Sequence, residues 1–370
     1  MKTKAAVCYE AGKPLRIETL ELDDPKEKEV LVKVVACGVC HSDLHGINGD
    51  WLVPIPLVPG HEIAGVVEKV GPGVTTLEKG DHVICSWMVS CGTCFQCMSG
   101  TPTSCETAIP AFGAGTMLDG TSRLKDKDGN TIAQWLFCGG FSQYAVTPEA
   151  STVKIPKDAP MEVVGLIGCC VPTGYGSVFN VAKMKPRSSV GVWGCGGVGL
   201  STINAASLIG AYPIIAVDLE GSKEKIAMEM GATHFLDSSK EDPVPKVQEL
   251  TAGRGGDYIF ECIGDPGAQI QAYWTVRPGG MLICAGIPPM EAMTAFPMAF
   301  VAIQNRSIVG TLYGGINVQL DIPKLVDLYM AGRLKPDKMI TRKIKLEDLN
   351  EAFELMEKRQ IVGRWMMVME

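Results

Sequence analysis

Ser189-Val190-Gly191-Val192-Trp193-Gly194-Cys195-Gly196-Gly197-Val198-Gly199 decides how the middle of this chain folds. The first five residues read as a short buried strand, and the next six match G-x-G-x-x-G. Glycines are common, so the match alone means little. Here it directly follows a strand and opens a predicted helix from Gly197 to Ile209. Asp218 stands nineteen positions beyond Gly199, at the end of the next strand. In that setting the turn is read as the phosphate-binding loop of a dinucleotide fold. Gly194 permits the tight turn, Gly196 lets backbone approach a pyrophosphate, and Gly199 lets helix and strand pack closely. Gly197 and Val198 begin the helix whose free N–H groups and partial positive charge face the phosphates. Asp218 accepts from ribose hydroxyls and repels a 2′-phosphate, so NAD is expected. Lys223 leaves some tolerance of NADP open.

Working outward, strands and helices alternate. The strand Ile214–Val217 precedes a helix around Lys223–Met230, and Tyr258–Cys262 precedes a helix near Ala268–Val276. The strand Gly280–Cys284 follows. This pattern predicts a doubly wound parallel sheet over residues 171–313. Residues 1–170 read instead as β-rich, with Glu29–Val35 and Ala64–Val70 alternating and many Gly and Pro residues between short runs. Residues 314–370 carry two amphipathic helices, near Ile322–Met330 and Leu346–Lys358, and a last strand Gly363–Val368. The expected fold class is therefore α/β, with a parallel-sheet domain inserted in a mostly β domain built from both ends of the chain.

The length of 370 residues suits two domains. With 46% hydrophobic and 20% charged residues the composition is that of an ordinary globular protein. A net charge of −7 with scattered Lys and Arg argues against nucleic-acid binding. No apolar run approaches membrane-spanning length, and Met1–Val7 lacks the core of a signal peptide. A cytoplasmic location is expected.

Fourteen cysteines in such a chain point to metal rather than disulfides. Cys8, Cys37, Cys85, Cys138, Cys262 and Cys284 lie among apolar residues and read as small buried hydrophobes. Cys91-x2-Cys94-x2-Cys97-x7-Cys105 is different, because it gathers four thiolates in fifteen residues. Short C-x2-C spacings direct backbone N–H groups at the sulfurs, and four sulfurs complete a tetrahedron round Zn2+ with no open position. That predicts a structural zinc. An iron–sulfur cluster is the alternative, since spacing alone does not choose the metal.

A second group is dispersed: Cys40-His41-Ser42-Asp43-Leu44-His45, then Gly60-His61-Glu62, then Gly168-Cys169-Cys170. A lone histidine is more often a hydrogen-bonded structural residue than a ligand. Together with an NAD fold and a four-cysteine lobe, however, the chain resembles the zinc-containing medium-chain alcohol dehydrogenases of the long form found in animal liver. The resemblance runs nearly end to end. It includes the segments just quoted, Gly115-Thr116-Met117, Asp119–Arg123, Phe141–Tyr144 and Thr173-Gly174-Tyr175-Gly176-Ser177. It implies a GroES-like catalytic domain around the NAD-binding one, and reversible oxidation of an alcohol by hydride transfer from a zinc-bound alkoxide.

Carried over residue by residue, the resemblance makes Cys40, His61 and Cys169 the ligands of a catalytic zinc. Cys170, where the family usually has Gly, competes with Cys169. Ser42 takes the family's place for the hydroxyl that accepts the substrate proton, and His45 passes it through the cofactor ribose toward solvent. Asp43 accepts from the ring of His61, and Glu62 is the carboxylate behind the zinc. His41 stands where the family often has Arg against the pyrophosphate, which predicts looser cofactor binding, and Arg364 is a second such contact. Thr173, Ile263, Ala285 and Ile287 complete the implied cofactor contacts.

Trp51, Trp87 and Trp135 fall on the family's pocket-lining positions, although from sequence alone they read as core aromatics. They imply an apolar pocket for a primary aromatic, allylic or aliphatic alcohol. Alternatives are aldehyde reduction in vivo, or the glutathione-dependent formaldehyde branch. That branch uses an arginine after the structural cysteines, and Glu106–Ser122 contains no Arg or Lys. A zinc-free quinone or enoyl reductase would lack these ligands, and a non-enzymatic NAD-binding protein would not need them. The resemblance further implies a homodimer, paired through the strand Ser307–Leu312, with a tetramer open.

Overall fold

The computed structural model describes residues 1–51 and 53–369; Glu370, the end of the expected C-terminal piece, lies outside them. The chain separates into two compact units. The first comprises residues 1–169, 317–331 and 340–370, and the second residues 170–316 and 332–339.

The first unit holds two sheets. In one, Lys2–Val7, Arg16–Leu22, Leu124–Lys125, Thr131–Gln134 and Leu57–Val58 lie in that order. Val7, Leu20, Leu22, Leu124 and Ile132 from this sheet pack with Met117 into a buried core. In the other, Glu29–Gly38 is flanked by Glu62–Val70 and Arg364–Val368. The register sets Gly38 opposite both Glu62 and Met366. Three neighbouring strands therefore meet at one end of this sheet, and that end delivers Cys40, His61, Glu62 and Arg364 to a common place. Gly38 is required there, because a Cβ would overlap the Glu62 carboxylate.

The second unit is built on six parallel strands. Their order is His234–Asp237, Ile214–Asp218, Val190–Trp193, Gly256–Glu261, Val276–Cys284 and Ser307–Gly310. This is a doubly wound sheet whose strand order reverses beside Val190–Trp193. Trp193, Val217, Ile259, Ala272, Tyr273 and Leu282 form its core. The helix Gly197–Leu208 follows the first strand, and the helix Cys170–Gly176 packs on it so closely that a Cβ at Gly174 would come within 2.6 Å of Ser201 and Thr202.

Several elements differ from the sequence reading. The strand His234–Asp237 and the helix Pro243–Leu250 were not expected. The strand is short, and two prolines at 243 and 245 read as loop. Yet proline is tolerated in a first helical turn, and Asp242 caps it by accepting from Val244 N. The helix expected from Ile322 begins at Val318 and carries Pro323 inside it. The helix expected over Leu346–Lys358 opens with a 3-10 turn, Leu346–Asp348, before the α-helical Leu349–Glu357. Residues 332–339 belong with the second unit rather than the first, where Lys335 N donates to Asn204 and Met339 lies against Ser201. Cys262 and Cys284 are only half-buried, unlike Cys8, Cys37, Cys85 and Cys138.

Candidate active site

Cys40, His61, Glu62 and Cys169 converge in the first unit, all buried, with one donor atom from each lying within 4.8 Å of the others. Cys40 caps the helix His41–Asn48. His61 follows Gly60, whose φ of 96° turns the chain where a Cβ would strike Phe141 N. Cys169 ends the 3-10 turn Gly165–Gly168. Among the described residues, Cys169 and not Cys170 joins this group.

Asp43 ties the site together and is itself completely buried. Its Oδ1 accepts from His61 Nδ1 at 2.8 Å and from Gly60 N at 3.0 Å, while Oδ2 accepts from Cys40 N at 3.2 Å. With Nδ1 engaged, His61 Nε2 is a buried ring nitrogen without a hydrogen-bond partner. A buried polar atom in that state needs explaining, and a cation among the thiols supplies the explanation.

The electrostatics agree. A hydrogen bond with Cys169 holds the Cys40 thiol well below its ordinary pKa despite burial, with Arg364 and His61 adding to the effect. Burial pulls His61 down, but Asp43 and Cys40 outweigh it and leave the ring well above its usual value. The first shift favours a thiolate and the second a cationic ring, so Cys40 and His61 each stabilise the charge of the other. Burial pushes Glu62 up to about 7 against the pull of Arg364, whose guanidinium bonds both the Glu62 carboxylate and Val39 O. The donor set of two sulfurs and one imidazole fits zinc in a site that keeps an open position.

The helix His41–Asn48 carries the other expected residues. His41 is exposed at its start and Ser42 half-buried. His45 Nδ1 meets Asp50 Oδ2 at 2.7 Å. Sequence reasoning missed Asp50. Gly49 caps the helix at φ 78° and returns its N–H to His45 O, and Asp50 N does the same at 3.0 Å, so the carboxylate folds back onto the ring. A glycine cap followed by an acid was the only signal. Trp51 stacks on His45, with ring centroids 5.1 Å apart, and Trp135 stacks behind Trp51 at 5.8 Å. Trp135 is wholly enclosed and lies under Gly46, where a Cβ would come within 2.8 Å of the indole. Trp87 packs instead against Phe112, at 6.0 Å.

Cys91, Cys94, Cys97 and Cys105 form a separate group of the same span. Cys94 N points at Cys91 Sγ at 3.3 Å, Cys97 N at Cys94 Sγ at 3.5 Å, and Cys91 N at Cys105 Sγ at 3.3 Å. Cys94 and Cys105 sulfurs lie 4.0 Å apart, close to the tetrahedral edge of about 3.8 Å implied by Zn–S bonds of about 2.3 Å.

In the second unit Gly194 has φ 89°, and a Cβ at Gly199 would overlap Gly194 O, so both glycines are needed where the turn enters the helix. Asp218, buried, accepts from Cys195 N at 2.7 Å and pairs through both oxygens with Lys223 at 3.0 Å. Ile263 and Ile287 are exposed, whereas Thr173 and Ala285 are buried.

The sequence comparisons define the class. Residues 26–157 match the alcohol dehydrogenase GroES-like domain and residues 197–331 the zinc-binding dehydrogenase domain. The chain belongs to the zinc-dependent medium-chain alcohol dehydrogenase family, whose cofactors are NAD and zinc. It is 39% identical to the NDMA-dependent alcohol dehydrogenase of Amycolatopsis methanolica, covering 96% of this chain and 95% of that one. It is equally identical, at 39%, to S-(hydroxymethyl)glutathione dehydrogenase of Paracoccus denitrificans, over 96% and 97%. Benzyl alcohol dehydrogenase of Acinetobacter calcoaceticus superposes with a TM-score of 0.93 at 33% identity, over 100% of both chains. The reaction class is NAD-dependent alcohol oxidation or its reverse.

Proposed function

We propose that this enzyme oxidises a primary, apolar alcohol to its aldehyde, reversibly. The buried cluster of Cys40, His61 and Cys169 with His61 Nε2 turned into it carries this reading. Those three residues would hold the catalytic zinc, which supplies a Lewis acid that eases loss of the alcohol proton. Asp43 fixes the tautomer of His61 and so its aim. The Glu62–Arg364 pair keeps a carboxylate beside the thiols without leaving its charge unopposed. Ser42 takes the hydroxyl proton, and His45, oriented by Asp50 and Trp51, carries it onward. Cys91, Cys94, Cys97 and Cys105 would hold a structural zinc. Gly194, Gly196, Gly197, Val198, Gly199, Asp218 and Lys223 would hold NAD, with Thr173, Ile263, Ala285 and Ile287 as further contacts.

Trp51, half-buried beside His45, favours a flat or slim substrate, with the wholly enclosed Trp135 backing it. A glutathione thiol adduct is a second reading, favoured by likeness to the Paracoccus denitrificans enzyme; the Glu106–Ser122 segment, free of Arg and Lys, speaks for the apolar alcohol. The deciding experiment is a screen of benzylic, allylic and aliphatic alcohols, and of formaldehyde with glutathione, each with NAD and NADP. Reduced cofactor absorbance is the readout. Turnover confined to the glutathione arm would replace the first reading by the second.

We infer a cytoplasmic location from the cysteine usage, since a reducing compartment keeps metal-binding thiols from pairing into disulfides. No single helix among the described residues is long and apolar enough to cross a membrane. A homodimer through the open edge strand Ser307–Gly310 is supported by exposed Met298, Phe300 and Ile303 just before it. Light scattering tests it, and a tetramer is the competing outcome.

A further inference from the structure

Glu261 is the last residue of the strand Gly256–Glu261 and has no solvent exposure. Its Oε1 accepts from Ile263 N at 2.6 Å and Gly264 N at 2.7 Å, and its Oε2 accepts from Gln269 Nε2 at 3.3 Å. Its own carbonyl accepts from Ala285 N at 2.8 Å and Gly286 N at 2.9 Å. One residue thus fastens two segments, the turn after its strand by the side chain and the end of the next strand by the main chain. The segments touch backbone to backbone: a Cβ at Gly264 would meet Ile287, and one at Gly286 would meet Gly264 N. All three partners of the carboxylate are donors, the pattern of an ionised group; burial pushes its pKa up, and the Gly264 and Ile263 amides and Gln269 pull the other way. No Lys or Arg is paired with it among the described ion pairs, and Gln269 is itself tied to Thr294.

Sheet order says what lies above. The phosphate turn follows Val190–Trp193, and Asp218 ends the strand on one side of it while Glu261 ends the strand on the other. In a doubly wound sheet a dinucleotide straddles the reversal point along the carboxyl ends of the strands. With its adenosine half toward Asp218, the nicotinamide half lies toward Glu261. We propose that Glu261 is a buried, unneutralised anion beneath the nicotinamide half of the cofactor, so that the enzyme binds the cationic oxidised form more tightly than its neutral reduced form would predict. An opposite unit charge within about 10 Å, at an effective dielectric near 20, is worth on the order of ten-fold in affinity. This rests on the placement of NAD at Gly194–Gly199 and Asp218.

The test is fluorescence titration of the zinc-loaded enzyme with NAD and NADH. Glu261→Gln removes the charge and should raise Kd for NAD about ten-fold more than Kd for NADH. Glu261→Asp keeps the charge but slackens the clasp, so both constants should rise while their ratio stays that of the parent. Gln269→Lys sets an ammonium against the same carboxylate without touching its bonds to Ile263 and Gly264, and should lower the preference for NAD even if Glu261→Gln does not fold. An unchanged ratio in Glu261→Gln, or in Gln269→Lys should the former not fold, overturns the proposal. Asp218→Gly must weaken both forms in the same assay; if it weakens neither, the placement of the cofactor is what has failed.

Discussion

Asp43 and His61 meet at 2.8 Å with both side chains shut away from water. The contact fixes which nitrogen of His61 is offered to the thiols, and the same carboxylate holds the Cys40 and Gly60 amides. Asp43→Asn should therefore lower metal affinity or turnover by about 10- to 100-fold. Metal analysis of the dialysed variant, beside its kcat, checks this. Full occupancy with unchanged kcat would show that Asp43 does nothing for the site.

His45 is held on two sides, by Asp50 at Nδ1 and by Trp51 across its ring. Asp50→Asn replaces an acceptor by a group that also donates, which permits the wrong tautomer. Alcohol turnover should fall about ten-fold, by no more than in His45→Ala, with Asp50→Glu recovering part of the loss. Steady-state kinetics at saturating NAD decides it.

Asp218 meets Lys223 through both oxygens. Asp218→Gly should free Lys223 for a 2′-phosphate, raising KM for NAD and lowering the NAD to NADP preference by about ten-fold or more. An unchanged ratio of kcat/KM values would contradict the role given to this pair.

Acid sensitivity should trace in part to Glu149. Burial alone would raise its pKa, but the amides of Thr75 and Thr76, the Thr76 hydroxyl and Lys28 outweigh it and lower the carboxyl from 4.5 to about 2. The unfolded chain holds its proton more tightly, so the stabilisation is complete above pH 4.5 and is lost as pH falls toward 2. Glu149→Gln should cost about 2 kcal/mol at neutral pH and flatten the acid limb of a thermal-stability profile over that window.

The glycine turn at Gly194–Gly199 and the cysteine cluster at 91–105 were legible because their chemistry is local: a few adjacent residues make the whole device. Cys40, His61 and Cys169 are far apart in sequence and acquired meaning only through resemblance; the register of Gly38 against Glu62 is what joins the first two. Asp50 and Glu261 were not legible. Each acts by folding a carboxylate back onto a neighbour, and no periodic pattern records where a short acidic side chain turns. The helix at Pro243–Leu250 was hidden by its prolines, whose tolerance there depends on their place in the first turn.

Two groups of side chains, Cys40, His61 and Cys169 on one hand and Cys91, Cys94, Cys97 and Cys105 on the other, would hold two metal ions with different duties. Zinc content per chain tests it most directly. The parent enzyme should hold two zinc ions, and His61→Ala one, while that variant should stay folded and bind NAD but not turn over alcohol. One zinc or none in the parent, or two retained with full turnover in His61→Ala, would contradict it.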